Sequence, residues 1–365
     1  MGLYMEKIFI IAEAGVNHNG SLAMAKQLID AAVNAKADAV KFQTFCTEDL
    51  VSKNAPKAEY QSKKTTNHES QYEMLKSLEL TEDAQKELQL YCKKRCILFL
   101  SSPFDLKSLH FLHDTLNVPI IKIASGEITH LPLLLRSAQT GKKIILSTGM
   151  SSLGEIETAL AILAFGYLNS TETFYPSINV CLDFFYSDEG QFILAEKVSL
   201  LHCTSEYPAP FDEINLRALR TLHLAFGLPL GYSDHTVGTA ISMAAVACGA
   251  KIIEKHFTLD KKLPGPDHTA SLDPDELSAL VTGIRQVEQA LGHSKKIPTL
   301  SEMKNRLIAR KSLVAITKIQ CGDLLTEQNM GSKRPGHGIS PLYFDQMKDT
   351  RADRDYEPDE LLTLK

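Results

Sequence analysis

The stretch IIKIASGE at residues 120–127 shows the pattern that decides the fold. A short apolar run ends in polar and glycine residues, which is typical of a buried parallel strand followed by a loop. Helical segments separate eight such runs. The runs are KIFIIAE (7–13), DAVKFQ (38–43), ILFLSSPF (97–104), IIKIASGE (120–127), KIILSTG (143–149), VSLLHCTSEYP (198–208), PLGYSDH (229–235) and KIIEKH (251–256). Eight such units predict a (β/α)₈ TIM barrel, whose catalytic residues lie at the C-terminal ends of its strands.

The strand–helix alternation covers residues 1–292, and the sequence pattern of the chain then changes. The polar segment 293–309 is predicted to be a linker. Residues 310–365 contain short β-type runs punctuated by glycine and proline, which predict a small β-rich domain. Within the barrel, the long segment 44–81 follows the second strand and is expected to act as a lid. The segment 164–197 is expected to be a second long loop with a surface or oligomer role.

The composition of the chain argues against some classes of binding partner. The chain of 365 residues is 44% hydrophobic and 23% charged, with a net charge of −5 and no long basic run. These values argue against nucleic acid or an anionic membrane as the main partner. Seven scattered cysteines, no CxxC pair and no signal-peptide pattern predict a cytoplasmic protein without a disulfide framework.

Two histidines follow the last two predicted strands. His235 ends GYSDH and His256 ends IIEKH, so adjacent strands bring both imidazoles to one rim. Two imidazoles completed by water or substrate suit a catalytic Mn, Fe or Zn ion. The alternative is that both are hydrogen-bonding loop residues.

Two lysines interrupt apolar runs at other strand ends. Lys41 and Lys122 are costly to bury unless an anion meets them, so phosphate or carboxylate is the expected ligand. Ser125 and Ser147 follow on the same rim and complete a phosphate cradle. Snorkelling to solvent and a Schiff-base role are the alternatives.

Carboxylates also lie on the predicted rim. Glu13 breaks the apolar stretch IIAEAGV, and Glu127 and Asp267 lie in loops, so each could act as a general base or bind sugar hydroxyls. Solvation is the alternative for any loop carboxylate. Arg334, in KRPGHG, is on sequence alone a solvated basic turn residue.

Taken together, the motifs resemble those of the bacterial sialic acid synthases. The matching stretches occur in order along nearly the whole chain: IAEAGVNHNGS, AVKFQTF, LSSPFD, KIASGEITHLPLL, ILSTGMS, LHCTSEYPAP, GYSDHT, IEKHFTLD, PGPDHTAS and KRPGHGI. The resemblance implies a TIM barrel followed by an antifreeze-like (SAF) domain. It also implies a domain-swapped homodimer that uses Mn²⁺ or Mg²⁺ and no organic cofactor.

The resemblance assigns roles to individual residues. Glu13 would be the catalytic acid/base, and His235 and His256 would bind the metal. Phosphoenolpyruvate would be held by Lys41, Lys122, Ser125 and Ser147. The sugar would be lined by Gln43, Asn67, Phe104, Glu127, Tyr207, Asp267 and, from a second subunit, Arg334.

The implied activity is N-acetylneuraminate synthase, which condenses phosphoenolpyruvate with N-acetylmannosamine and releases phosphate by C–O cleavage. The alternative within the family is N,N′-diacetyllegionaminate synthase, acting on 2,4-diacetamido-2,4,6-trideoxymannose. Two remote alternatives are a Schiff-base aldolase or lyase and a non-catalytic carbohydrate-binding protein.

Overall fold

The computed structural model describes residues 7–57 and 70–363. Their Cα positions divide into two compact units, Met1–Gly292 and His293–Lys365. The strands are β1 (Phe9–Gly15), β2 (Ala39–Thr44), β3 (Leu98–Pro103), β4 (Ile120–Ile123), β5 (Lys143–Ser147), β6 (Val198–Cys203), β7 (Leu230–Asp234), β8 (Ile252–His256), β9 (Ser312–Ala315) and β10 (Met330–Lys333).

The first unit is a parallel eight-stranded barrel, which confirms the predicted fold class. Hydrogen-bonded neighbours run in the order β3, β2, β1, β8, β7, β6, β5 and β4. β3 and β4 lie against one another where the ring closes. Each strand is buried on both faces because helices cover its outer side, as expected of a barrel built from strand–helix units.

Helices connect the strands. They are α1 (Leu22–Asn34), α2 (Thr47–Leu50), α3 (Gln71–Leu78), α4 (Glu82–Lys94), α5 (Leu106–His110), α6 (Leu131–Gln139), α7 (Leu153–Leu168), α8 (Ile178–Phe185), α9 (Asp188–Lys197), α10 (Ala218–Phe226), α11 (Ala240–Ala247), α12 (Pro274–Leu291), α13 (Leu300–Ala309) and α14 (Phe344–Met347). α12 begins at Pro274, and the preceding Asp273 forms a capping box with Glu276. It ends before Gly292, whose φ of +48° favours glycine.

The interior of the barrel is built in layers because alternate residues of a strand face the same side. The lower inward layer is apolar and contains Ile11, Ala39, Leu100, Ile145, Leu201 and Ile252. The inward residues two positions further along the strands are mostly polar and face the cavity. They are Glu13, Lys41, Ser102, Lys122, Ser147, Cys203, Ser233 and Glu254. Because side chains alternate along each strand, a layer of reactive side chains lies directly above the apolar layer.

Two expectations about connecting segments need correction. The segment 164–197 is not a long loop, since it contains the end of α7 followed by α8 and α9. Ser177 and Ser187 accept backbone hydrogen bonds that start the two added helices, which pack on α7. The polar segment 293–309, expected to be a linker, contains α13 because Thr299 and Glu302 form a capping box.

The second unit is β-rich, as predicted. β9 and β10 pair antiparallel. A separate apolar core lies beneath them and contains Leu313, Ala315, Ile319, Leu325, Met330, Met347, Ala352, Tyr356 and Leu362. The likeness of this unit to antifreeze protein stays a prediction.

Candidate active site

A cavity of about 470 Å³ opens at the C-terminal ends of the barrel strands. Twelve of the predicted site residues line it: Glu13, Lys41, Gln43, Phe104, Lys122, Ser125, Glu127, Ser147, Tyr207, His235, His256 and Asp267. Asn67 lies outside the described residues. Arg334 belongs to the second unit, where its Nε donates to the carbonyl oxygen of Ala309 at 2.9 Å.

Four buried charges form the floor of the cavity. Lys41 Nζ lies 2.8 Å from Glu13 Oε2 and 3.7 Å from Glu254 Oε2, and Lys122 Nζ lies 3.3 Å from Glu254 Oε1. All four side chains are at most 5% exposed. Two carboxylates therefore balance two ammonium groups, and the lysines do not snorkel to solvent. Such a balanced cluster is tolerable inside a protein because each charge has an opposite partner.

The pKa values of the two floor carboxylates are shifted in opposite directions. Burial, together with repulsion from Glu254, raises the pKa of Glu13 to about 7, although Lys41 opposes the shift. Burial acts in the same direction on Glu254, but the ammonium groups of Lys122 and Lys41 outweigh it and lower its pKa to about 2. Glu13 can consequently gain or release a proton near neutral pH, while Glu254 remains ionised.

The pKa values of the two lysines are also shifted in opposite directions. Burial lowers the pKa of Lys122, and the charge of Glu254 only partly restores it. For Lys41 the same effect of burial is exceeded by Glu13 and Glu254, so its pKa is raised. Lys41 is thus a permanent cation.

Hydroxyl groups surround the lysines. Lys122 Nζ donates to Ser147 Oγ at 2.8 Å, and Lys41 Nζ donates to Ser102 Oγ at 3.2 Å. Ser125 Oγ accepts from the backbone N–H of Gly149 at 3.0 Å. A Cβ at Gly149 would lie 2.4 Å from Ser205 Oγ and 2.8 Å from Ser125 Oγ, so only glycine fits there. Hydroxyls, ammonium groups and a close backbone form a pocket suited to a phosphate or carboxylate group.

The two histidines meet at the rim, with ring centroids 5.6 Å apart. His235 Nδ1 is 2.6 Å from the carbonyl oxygen of Thr204, so this nitrogen carries the proton and Nε2 keeps its lone pair. Burial lowers the pKa of His235 to about 4 and holds the pKa of His256 well below its usual value, so both rings are neutral at pH 7. The ring of Tyr207 packs 4.2 Å from that of His235.

These two side chains fit a divalent metal ion. Among the described residues, His256 Nδ1 is buried and has no hydrogen-bond partner, an arrangement that is costly unless a ligand reaches it. Within 7–57 and 70–363, no cluster of three or more His, Cys, Asp or Glu side chains is placed to hold a metal. Water or substrate would therefore supply the remaining ligands. A pair of neutral imidazoles favours a transition ion such as Mn²⁺ over Mg²⁺, which prefers oxygen ligands.

A hydrogen-bonded network holds the loop that carries Asp267. Asn19 Nδ2 donates to the carbonyl oxygen of Pro264 at 2.9 Å, and Asn19 Oδ1 lies 3.1 Å from His268 Nε2. His268 Nδ1 in turn lies 2.7 Å from Thr258 Oγ1. The NHNG segment (17–20) after β1 thus fixes the loop after β8 beside the cavity.

Sequence reasoning gave no role to Glu254 or Gly149, which both contribute to the pocket. Glu254 stands two positions before His256, so the period of two within β8 places both on the inward side. Applying that spacing to each strand end would have found it. Gly149 follows β5 in KIILSTG, and no local signal distinguishes its close approach from an ordinary turn.

A known family model, described as the NeuB family, matches residues 28–296 of this chain. This chain belongs to the NeuB family. The resemblance to sialic acid synthases is thereby confirmed.

Two relatives and one solved structure are similar to this chain over most of its length. The chain is 49% identical to an N,N′-diacetyllegionaminic acid synthase of Campylobacter jejuni, covering 98% of this chain and 99% of the relative. It is 44% identical to the synthase of the same name from Legionella pneumophila, covering 91% and 87%. A solved sialic acid synthetase of Leptospira borgpetersenii is 35% identical with a TM-score of 0.66, covering 82% of this chain and 90% of that one.

These comparisons correct the first expectation about substrate. N-acetylneuraminate synthase was the main prediction and is wrong, because the relatives named for diacetyllegionaminic acid are markedly more similar than the sialic acid synthetase.

No helix within residues 7–57 and 70–363 combines the length and apolar character that crossing a membrane requires.

Proposed function

We propose that this NeuB-family protein is an N,N′-diacetyllegionaminic acid synthase. It would condense phosphoenolpyruvate with 2,4-diacetamido-2,4,6-trideoxymannose and release phosphate. The observation that carries the proposal is the 49% identity, over 98% of the chain, to a relative of that name. The cavity supports it, because a cationic floor and a neutral histidine pair are the parts that such a condensation needs.

Lys41 and Lys122 would bind the phosphate and carboxylate groups of phosphoenolpyruvate. Both are already buried, so their ammonium groups act in a medium of low polarity where they attract anions strongly. Ser125 and Ser147 would donate hydroxyl hydrogen bonds to the same anion. An incoming anion would compete with Glu13 and Glu254 for the lysines, which favours a protonated Glu13 in the bound state.

The chemistry forms one C–C bond and breaks one C–O bond. The C2–C3 electron pair of phosphoenolpyruvate attacks the aldehyde carbon of the open-chain sugar, whose oxygen takes up a proton. Water adds to C2 and loses a proton, and the resulting hydroxyl group loses its own proton as the C2 carbonyl forms and phosphate leaves by C–O cleavage. The products are inorganic phosphate and a 2-keto-3-deoxy sugar acid, so atoms and charge balance without an oxidant.

Glu13 would supply and accept protons in this sequence. Its carboxyl group lies on the floor beside Lys41. It also lies near His256, because a Cβ placed on Gly15 would be 3.3 Å from both Glu13 Oε1 and His256 Cε1. Glu13 is therefore close to the rim where the aldehyde would be held. A pKa of about 7 suits a group that donates a proton in one step and accepts one in another.

His235 and His256 would hold a divalent ion, with Mn²⁺ or Mg²⁺ as the expected choices. When bound there, the ion would polarise the aldehyde oxygen. The two rings are kept in position by the Thr204 carbonyl and by Tyr207, so the pair is preorganised.

A substrate panel tests the proposal. The purified full chain is incubated with Mn²⁺, phosphoenolpyruvate and one of three sugars, and phosphate release is measured. The sugars are the diacetamido trideoxy sugar, N-acetylmannosamine and its 6-phosphate. We expect the highest kcat/KM for the trideoxy sugar and loss of activity with a chelator. A higher kcat/KM for either other sugar would overturn the assignment. Chelator-insensitive activity, with pyruvate trapped by borohydride, would instead indicate a Schiff-base enzyme.

We further propose a domain-swapped homodimer in the cytoplasm, with residues 1–292 as the synthase domain and 310–365 as an antifreeze-like domain. Arg334 would complete the sugar site of a second copy, and its exposed position on a turn leaves it available for this. Arg334→Ala should raise the KM of the sugar and leave that of phosphoenolpyruvate nearly unchanged. An equal rise for both substrates would contradict this role, and a monomeric mass in solution would contradict the dimer.

A further inference from the structure

One wall of the cavity is apolar and comes from the segment after β2. Its apolar members, contributed by the end of α2 and one face of α3, are Leu50, Val51, Met74, Leu75 and Leu78, and Gln71 of α3 also lines the cavity. Leu50, Met74, Leu75 and Leu78 pack in a cluster with Val16, Phe45 and Phe104, which extends the apolar surface towards the rim. A sugar carries few apolar groups, so this apolar surface requires an explanation.

The wall is held in place by polar contacts on its outer side. Glu79 accepts hydrogen bonds from the backbone N–H and the hydroxyl of Thr47 at 3.1 and 2.6 Å, which joins the end of α3 to the start of α2. Lys76 bridges Glu48 and Glu79. Ser70 and Glu73 form a capping box that starts α3. The described part of the lid is thus a preformed surface rather than a collapsed loop.

The position of the wall determines which part of a sugar it meets. The aldehyde carbon must lie at the floor, beside the lysines and histidines, to react with phosphoenolpyruvate. The rest of the sugar then extends outward, towards the loops that follow the strands. Polar partners are available on other sides, from Gln43, Glu127 and Asp267. The atoms furthest from the aldehyde therefore face α2 and α3.

The described part of the wall offers no cation to a charged sugar. Among the described residues that line the cavity, Lys41 and Lys122 are the cations, and both belong to the floor. A sugar 6-phosphate would place a dianion against leucine, valine and methionine side chains, and burying an unpaired charge is strongly unfavourable. A 6-deoxy sugar instead presents a methyl group, and a 4-acetamido group presents a second one.

We propose that the α2–α3 wall, with Leu75 at its partly exposed centre, determines the sugar specificity by burying the C6 methyl and the 4-acetamido methyl groups. This inference rests on the proposed function. N-acetylmannosamine carries hydroxyl groups at both places, and these would lose hydration against the wall without gaining a partner. Selectivity between the two sugars then arises from this one surface, since the reacting atoms are the same.

The test compares Leu75→Gln with two other variants. Glutamine has a similar length and good helix propensity, so α3 is retained while the wall gains a polar group. Leu75→Met keeps the apolar volume. Leu90→Gln is the matched control, because Leu90 is 66% exposed on α4 and lies outside the cavity. For each protein, kcat/KM is measured with the trideoxy sugar and with N-acetylmannosamine, alongside thermal unfolding.

We expect Leu75→Gln to lower the ratio of the two kcat/KM values by roughly tenfold, the size of effect expected when one or two methyl groups lose an apolar contact. Leu75→Met and Leu90→Gln should keep the wild-type ratio within about twofold. If Leu75→Gln lowers both kcat/KM values equally, or keeps the wild-type ratio, the wall does not set specificity. If the wild type itself prefers N-acetylmannosamine, the proposed function fails instead, so the two failures are distinguishable.

Discussion

Lys255→Met removes the ammonium group from a buried ion pair directly behind the candidate metal site. Lys255 Nζ lies 3.0 Å from Asp234 Oδ2, and their side chains are 1% and 0% exposed. The pair joins β7 to β8 on the outer side of the sheet, and its members immediately precede His235 and His256. Because successive residues face opposite sides, locking this pair outward directs both histidines into the cavity.

The cost of the change follows from these contacts. Breaking a buried ion pair by removing one partner costs about 3–5 kcal/mol, because the other charge is left unpaired. Asp234 retains hydrogen bonds from the backbone and hydroxyl of Thr236 at 2.9 and 2.8 Å, and from Ser242. We therefore expect the lower end of that range, about 3 kcal/mol, for the free energy of unfolding.

Urea unfolding, followed by circular dichroism, measures this loss, and calorimetry with Mn²⁺ measures the effect on metal affinity. The double variant Asp234→Asn with Lys255→Met should recover most of the stability, because no unpaired charge remains. Lys86→Met is the control, since Lys86 forms an exposed ion pair with Asp83 and should unfold like the wild type. A loss below about 1 kcal/mol for Lys255→Met, or a double variant less stable than the single one, would refute the reasoning.

Two further predictions concern anion binding and pH. Lys122→Met should raise the KM of phosphoenolpyruvate at least about tenfold and leave that of the sugar within about twofold, because Lys122 lies on the charged floor; equal rises in both steady-state KM values would contradict this. His18 and His268 are buried, and burial lowers the pKa of each to about 4. Their neutral forms are favoured in the fold, so stability should be complete above pH 6.5 and fall as the pH drops towards 4. Unfolding measured from pH 7.5 to 4.5 should show this loss, and His268→Gln should reduce it; a curve unchanged by that substitution would rule out His268.

Much of the fold could be predicted because it depends on local sequence patterns. The eight apolar runs correspond to the eight barrel strands, and Asp273 with Pro274 marks the start of α12. The segment 164–197 was misjudged because its two added helices are only 8 and 10 residues long, and α9 has almost no amphipathic periodicity. They are stabilised by packing on α7, which a local pattern does not contain.

The candidate site was predicted in part for the same reason. Strand ends identified Lys41, Lys122 and the two histidines as neighbours on one rim. The role of Glu254 was missed, because its contacts with both lysines join β8 to β2 and β4 across the barrel. Distances of this kind depend on how the ring closes.

The sequence by itself determined which residues face the barrel interior, because the period of two in a strand is a property of the backbone. It also determined the family, through motifs at the strand ends. The tertiary structure alone decided how the charges are paired, since Glu13 and Glu254 share the lysines only once the strands meet. Burial then separates their pKa values, because the cost of ionisation depends on surroundings that no single segment supplies.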